Sequence, residues 1–230
     1  MRAAACTISA LCLGLLAGCA NLAPDYARPV LPVPATVDGR NVAEQTLGEL
    51  DWLRVVAEPR LRKTIELAQK AARQKAMLAL FPEMGISAYS NEDLFHQDAL
   101  LQSVEGALLK IREASSKMNL VLAVGAPLRV DCRLFNCAVV FYRGDILGIA
   151  VKSYLPNYRE YYEGRQFSPA SQAMATTVSL AGQKDIPFGA NLIFQTANVK
   201  NLLLYFEICE DVWVPVPPSS FAAMAGATVI

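Results

Sequence analysis

Two stretches of the chain carry apolar residues at every third or fourth position, the spacing that places them on one face of an α-helix. These positions are Leu61, Ile65, Ala68 and Ala72 in the first stretch and Leu100, Val104, Leu108 and Ile111 in the second. Pro59 lies where the first turn of a helix tolerates proline, because the first N–H groups of a helix have no internal acceptor. The pattern predicts one helix that begins near Pro59 and a second over residues 97–117.

Short apolar runs without helical spacing alternate with these helices and predict buried strands. The runs cover residues 77–81, 120–125, 134–142, 145–151, 191–195 and 202–208. Arg143-Gly144 separates two of them and is typical of the turn of a β-hairpin. Strands mixed with covering helices predict a layered α/β sheet domain.

The first sixty residues follow a different pattern. Arg2 precedes an apolar stretch over residues 3–16 and the tetrapeptide Leu16-Ala17-Gly18-Cys19, which resembles the lipobox of bacterial lipoproteins. The proline-rich string APDYARPVLPVPA that follows favours an extended linker and resembles the start of a TolC-like outer-membrane efflux lipoprotein. We therefore expect a lipoprotein signal peptide over 1–19 with Cys19 lipidated, an extended leader over 20–60, and the main domain over 61–230, with the junction between 61 and 75.

Composition excludes several classes of function. The chain has 230 residues, 53% of them hydrophobic, which suffices for a domain core. The 21 basic residues balance 21 acidic ones, so no charge excess favours nucleic acid. The single histidine, His96, excludes multi-histidine zinc sites, and no glycine-rich phosphate loop is present. We expect neither a nucleic-acid partner nor a bound metal.

Polar residues follow three of the predicted strands. Glu83 comes after MLALFP, Lys152 after DILGIAV, and Cys209 after NLLLYFEI. A thiol, a carboxylate and an ammonium together suffice for amide hydrolysis without histidine. The thiolate attacks, the carboxylate carries the proton, and the cation stabilises negative charge. Each residue taken alone has a more ordinary explanation, as a packed thiol or a solvated charge at a strand end.

The sequences around these residues strengthen the catalytic interpretation. They are LALFPEMGISAYSNEDLF, GAPLRV, LFNCAVVFYRGDILGIAVKSYLPNYREYYEGRQF and EICEDVWVPVPPSS. Together they resemble the nitrilase, or carbon-nitrogen hydrolase, superfamily, and more closely the glutaminase domain of the glutamine-dependent NAD synthetases. The resemblance implies an α/β fold of nitrilase type, an incomplete αββα sandwich preceded by the signal peptide and linker. It implies that Cys209 forms a thioester with glutamine, Glu83 acts as general acid and base, and Lys152 stays charged.

The same resemblance implies a substrate site for glutamine. Its candidates are Tyr89, Tyr158, Tyr161 and Glu163, with Glu163 as the partner of the substrate's amino group. Glu160 is a possible accessory carboxylate that orients Lys152, or else a solvated loop charge. The glutaminase reaction needs no cofactor. ATP and the NAD precursor belong only to the synthetase domain of that family, which is absent from this sequence.

Two further questions stay open at the level of sequence. The chain ends 21 residues after Cys209, so the alternative to glutamine hydrolysis for NAD biosynthesis is an inactive truncated fusion or a membrane-tethered lipoprotein fragment. The leader predicts the outer membrane or periplasm, with membrane contact through the lipid alone, whereas the enzyme family is cytoplasmic. The family also forms oligomers.

Overall fold

The computed structural model describes residues 36–37, 40–41 and 58–230. The chain divides into two units, Met1–Glu44 and Gln45–Ile230. In the first unit the described residues form two short antiparallel strands, β1 (Thr36–Val37) and β2 (Arg40–Asn41). The predicted signal peptide, Cys19 and the rest of the predicted leader lie outside the described residues.

The second unit alternates helices and strands. Its helices are α1 (Glu58–Arg73), α2 (Asp98–Ser115) and α3 (Pro218–Met224). Its strands are β3 (Leu78–Leu80), β4 (Val121–Val130), β5 (Arg133–Tyr142), β6 (Asp145–Val151), β7 (Thr177–Leu180), β8 (Gln183–Gly189), β9 (Ile193–Gln195) and β10 (Leu203–Tyr205). Short 3₁₀ helices cover Glu92–His96, Glu163–Arg165, Ala170–Gln172 and Cys209–Trp213. None of the helices in the described ranges is long and apolar enough to cross a membrane.

Six of the strands form one mixed sheet in the order β3-β4-β5-β6-β8-β7. β3 runs parallel to β4, and β6 parallel to β8, while the other neighbouring strands are antiparallel. β9 and β10 pair with each other outside this sheet. The antiparallel strands β4, β5 and β6 therefore lie in the middle of the sheet, and the loops that connect them to the other elements begin at their ends.

The two faces of the sheet carry different side chains. Alternate residues of β4 and β5, such as Val124 and Val139, belong to the main core together with Leu108 and Ile111 of α2. Side chains of a strand alternate between faces, so the opposite face carries the remaining residues of these strands. There Ala138 and Ala150 pack against Ile208. These small side chains leave room on that face for the loops that hold the polar residues.

The strands of the structure differ from the predicted strands in three places, and the helix α3 was not predicted. β4 continues to Val130, well past residue 125, because it pairs with β5 up to Val130 and Arg133 around the turn Asp131-Cys132. The strands β7 and β8 were not predicted, because β8 is largely polar and contains Pro187. The predicted strand over 202–208 ends at Tyr205 and lies outside the main sheet.

Candidate active site

Lys152 lies at the centre of a buried charge cluster. It follows β6 directly, and its side chain is fully buried on the face of the sheet that carries Ala138 and Ala150. Its Nζ atom lies 2.7 Å from Glu83 Oε1 and 2.8 Å from Glu163 Oε1. Burial alone would lower the pKa of the Lys152 ammonium, but the two carboxylates outweigh this effect and raise its pKa. Lys152 is therefore a fixed cation.

Glu83 reaches Lys152 because its loop crosses β4 at a glycine. A Cβ atom on Gly125 would lie 2.5 Å from both the Pro82 carbonyl oxygen and the Met84 nitrogen, and 2.8 Å from Glu83 Cα. No side chain fits there. The Asn136 side chain donates a second hydrogen bond, of 2.5 Å, to Glu83 Oε1. The carboxylate is thus held by two donors at one oxygen.

Cys209 lies in the same cleft as Glu83, a cavity of about 230 Å³ whose wall also contains Gly125, Ala138 and Phe206. It starts the 3₁₀ helix Cys209–Trp213, four residues after β10 ends. The expectation that Cys209 directly follows a strand over 202–208 is therefore wrong, because the strand ends at Tyr205. Its φ of 48° is unusual for a residue with a side chain, and such strained conformations cluster at functional sites.

The surroundings of Cys209 favour its thiol form. Although the residue is exposed, the partial burial of its side chain raises the pKa of this thiol, and the Glu83 carboxylate raises it further through its charge. Lys152 lowers the pKa and Glu163 raises it, and the net shift is upward. Two carboxylates against one ammonium leave the cluster with one net negative charge, which disfavours a second anion. A thiol in this position needs a base to attack a carbonyl carbon.

Glu163, and not Glu160, orients Lys152. Glu163 is buried and accepts hydrogen bonds at Oε1 from Lys152 Nζ and from the Tyr89 hydroxyl at 2.5 Å. The loop folds back because the Glu163 N–H donates to the Pro156 carbonyl oxygen and starts a 3₁₀ turn. Glu160 is exposed on the outward part of this loop. The interpretation of Glu160 as the carboxylate that orients the lysine is therefore wrong.

The predicted tyrosines lie at different depths around the cluster. Tyr89 contacts Glu163, and burial and that carboxylate raise the pKa of its phenol, so it stays a hydrogen-bond donor. Tyr161 lines a second cavity together with Tyr89 and Glu163. Tyr158 lies at the exposed rim, where its hydroxyl donates to Glu210 beside the cysteine. Tyr89 and Tyr161 are thus close to Glu163, while Tyr158 is nearer the Cys209 turn.

Asp211 holds the Cys209 turn against the end of β6, and it is not among the residues predicted from the sequence. It is buried, and its Oδ1 accepts the N–H groups of Ser153 and Tyr154 at 3.0 and 2.8 Å, while Oδ2 accepts that of Ile208 at 3.1 Å. Burial raises the pKa of this carboxyl, and the three N–H donors oppose the shift. An aspartate in the first turn of a helix is a local capping signal, but only the fold shows that it also joins this turn to the residues after Lys152.

Three buried polar atoms have no hydrogen-bond partner within the described part of the chain. They are Asn136 Oδ1, Glu163 Oε2 and Gln166 Nε2. Buried polar groups in native proteins are normally paired. Two of the three belong to residues that contact the cluster, so the site retains unused hydrogen-bonding capacity.

The fold and the buried cluster define a mixed α/β protein of the nitrilase fold with a thiol, a carboxylate and an ammonium on one face of its sheet. The family model of the carbon-nitrogen hydrolases matches residues 50–230. The chain therefore belongs to the carbon-nitrogen hydrolase family. The predicted α/β fold of nitrilase type is confirmed.

The chain matches part of the sequence of two longer enzymes. The chain is 47% identical over 166 residues to the glutamine-dependent NAD(+) synthetase of Mycobacterium leprae. The aligned region covers 72% of this chain and 24% of that protein. It is 29% identical over 185 residues to the enzyme of that name from Aquifex aeolicus, covering 80% of this chain and 29% of the relative. The chain thus spans about a quarter of the length of these curated relatives.

Solved structures agree with the fold. The crystal structure of a glutamine-dependent NAD(+) synthetase from Cytophaga hutchinsonii has a TM-score of 0.62 at 26% identity, covering 75% of this chain and 27% of that one. A nitrilase-superfamily amidase of Nesterenkonia AN1 has a TM-score of 0.56 at 19% identity, covering 75% of this chain and 57% of the amidase. The amidase supports the fold alone.

Proposed function

We propose that this chain hydrolyses the side-chain amide of glutamine through a thioester on Cys209, and that the ammonia serves NAD biosynthesis. The observation that carries the proposal is the buried contact of Lys152 with Glu83 and Glu163, in a cleft shared by Glu83 and Cys209. The relatives named as glutamine-dependent NAD(+) synthetases support glutamine as the substrate. The proposed chemistry uses side chains only.

The proposed reaction begins with transfer of the thiol proton. The Glu83 carboxylate takes the proton from Cys209 as its sulfur attacks the amide carbon of glutamine. Lys152 uses two of its three N–H bonds for the two carboxylates, which leaves one for the negative charge that develops on the amide oxygen. Glu83 then gives the proton to the departing nitrogen, which leaves as ammonia.

The second half of the reaction restores the thiol. Glu83 removes a proton from water, whose oxygen attacks the thioester carbon, and the carbon–sulfur bond breaks. The proton returns to the sulfur, and glutamate leaves. The sum is glutamine and water in, glutamate and ammonia out, with Lys152 charged throughout because its pKa is raised.

Glu163 is proposed to recognise the amino group of glutamine. Its Oε1 is occupied by Lys152 and Tyr89, while its buried Oε2 has no partner in the described residues. A buried carboxylate oxygen of this kind favours a cation, and the ammonium of a free amino acid supplies one. Tyr89 and Tyr161 line the cavity on this side.

Replacing Glu163 by glutamine is expected to raise KM for glutamine about tenfold or more, the effect of losing one charge-assisted hydrogen bond. The amide oxygen of the new residue still accepts bonds from Lys152 and Tyr89. Because the charge of Glu163 raises the pKa of Cys209, the variant's thiol should also react faster with iodoacetamide at neutral pH. Glu160→Gln, on the exposed side of the same loop, is the matched control. Equal KM values for the wild type and Glu163→Gln would contradict the substrate role.

Hydroxylamine trapping tests the proposed function directly. The full chain is incubated with glutamine, and ammonia and glutamate are expected in equal amounts. Added hydroxylamine attacks the thioester in place of water and yields glutamyl hydroxamate, which is measured by mass spectrometry. Glutamine with hydroxylamine and no protein is the blank. Ammonia and hydroxamate at blank levels would reject the proposal and favour the inactive alternative.

A further inference from the structure

Asn136 is a fully buried polar residue beside both Glu83 and Lys152. It lies on β5, one residue before the pair Cys137 and Val151 of the β5–β6 ladder. Its main-chain carbonyl oxygen accepts the N–H of Lys152 at 2.9 Å. Its backbone therefore fixes the position from which the lysine side chain extends.

The Asn136 side chain acts on the other partner. Nδ2 donates to Glu83 Oε1 at 2.5 Å, the same oxygen that lies 2.7 Å from Lys152 Nζ. The amide must present its nitrogen to the carboxylate, because the reversed amide would place two acceptor oxygens in contact. The other polar atom of the amide, Oδ1, has no partner among the described residues. Within that part of the chain, the Asn136 side chain therefore makes its hydrogen bond to Glu83.

We propose that Asn136 is a positioning residue for the proton transfer, an inference that rests on the proposed function. With Asn136 and Lys152 both bound to Oε1, the second oxygen of Glu83 carries neither donor and is the one that accepts the thiol proton of Cys209. Asn136 thereby holds the Glu83 carboxylate turned toward the sulfur. This effect does not require Asn136 to touch the substrate.

The test compares Asn136→Asp and Asn136→Ala with Val139→Ala. Asn136→Asp keeps the shape but replaces the donor by a carboxylate, and Asn136→Ala removes the donor. Val139 is a fully buried residue of the same strand on the opposite face, so its truncation costs packing without touching the cluster. Melting temperatures of all three variants are measured first.

Asn136→Asp is expected to lower kcat for glutamine at least about 100-fold with little change in KM, the usual scale for disturbing an acid–base group. For both Asn136 variants, the acidic limb of the pH profile of kcat/KM should move up by about one pH unit, because Glu83 loses a donor to its charged form. Val139→Ala should leave that limb in place. If the role of Asn136 is purely structural, the acidic limb of the pH profile stays in place in all three variants. An unchanged limb and kcat in a folded Asn136→Asp or Asn136→Ala would overturn the inference.

Alkylation of Cys209 separates this inference from the proposed function. The rate of reaction with iodoacetamide, followed at the Cys209 peptide by mass spectrometry, needs no turnover of glutamine. In Asn136→Asp the added negative charge should raise the pH midpoint of alkylation by about one unit relative to Val139→Ala. If the alkylation midpoint of Asn136→Asp is shifted but the wild type forms no hydroxamate, glutamine hydrolysis is rejected and the position of Asn136 beside the reacting groups is retained. An unshifted midpoint would reject the placement of Asn136 beside the reacting groups.

Discussion

Cys209→Ala is expected to abolish ammonia release from glutamine, with a fall of at least about a thousandfold, as for loss of a nucleophile. The sulfur is the only protein atom in the proposed reaction that bonds to the substrate carbon. Without it, Glu83 and Lys152 retain their contact but have no thioester to form or break. Ammonia release and glutamyl hydroxamate are the two measurements.

Cys132→Ala is the matched control for this substitution. Cys132 is also an exposed free cysteine with positive φ, at the turn between β4 and β5. Its replacement should leave both products at wild-type levels. If Cys209→Ala keeps the hydroxamate yield of Cys132→Ala, the thioester is not formed on Cys209.

Lys152→Met is expected to cost about 3–5 kcal/mol of unfolding free energy, the scale for removing one partner of a buried ion pair. The methionine fills a similar volume, but Glu83 and Glu163 are left facing each other without the cation that lies between them. Activity should fall to the background as well, because no charge remains for the amide oxygen. Chemical denaturation and ammonia release measure the two effects.

The pH dependence of this loss has a definite sign. In the wild type the folded pKa of Lys152 is raised, so its ion pairs contribute fully below the unfolded pKa of about 10.4 and are lost only as pH rises through the folded value. In Lys152→Met the two unpaired carboxylates can instead bind a proton, so the deficit should shrink as the pH is lowered from 8 towards 5. Lys110→Met, an exposed lysine of α2, should cost little at either pH. A Lys152→Met variant as stable as Lys110→Met at pH 8 would contradict the buried cluster.

Local patterns predicted much of the fold. The helix from Pro59 and the hairpin at Arg143-Gly144 depend on spacing within a few residues, and Gly144 adopts the positive φ, of 91°, that glycine favours in such a turn. The added length of β4 and the pair β7–β8 depend on partners distant in sequence. Strands of polar composition, such as Gln183–Gly189, form because a neighbouring strand supplies hydrogen bonds.

In the candidate site, too, some features follow from local sequence and others depend on residues distant in the chain. Glu83, Lys152 and Cys209 were predicted because their neighbours form recognisable segments. The choice between Glu160 and Glu163 depends on how the loop after Lys152 folds, and the two carboxylates are only three residues apart. Asn136 and Asp211 act through partners far away in the chain, so neither has a local signal for its contact with the site.

The sequence by itself determined the two long helices α1 and α2, the tight hairpin, the family segments and the chemical identity of the three candidate catalytic residues, because each depends on residue type and short-range spacing. Only the tertiary structure decided which carboxylate meets Lys152, which amide holds Glu83, and how the Cys209 turn is attached to β6. Those contacts join residues that are 11, 53 and 57 or 58 positions apart. The physical reason is that a buried charge is stable only beside a partner, and chain folding alone brings such partners together.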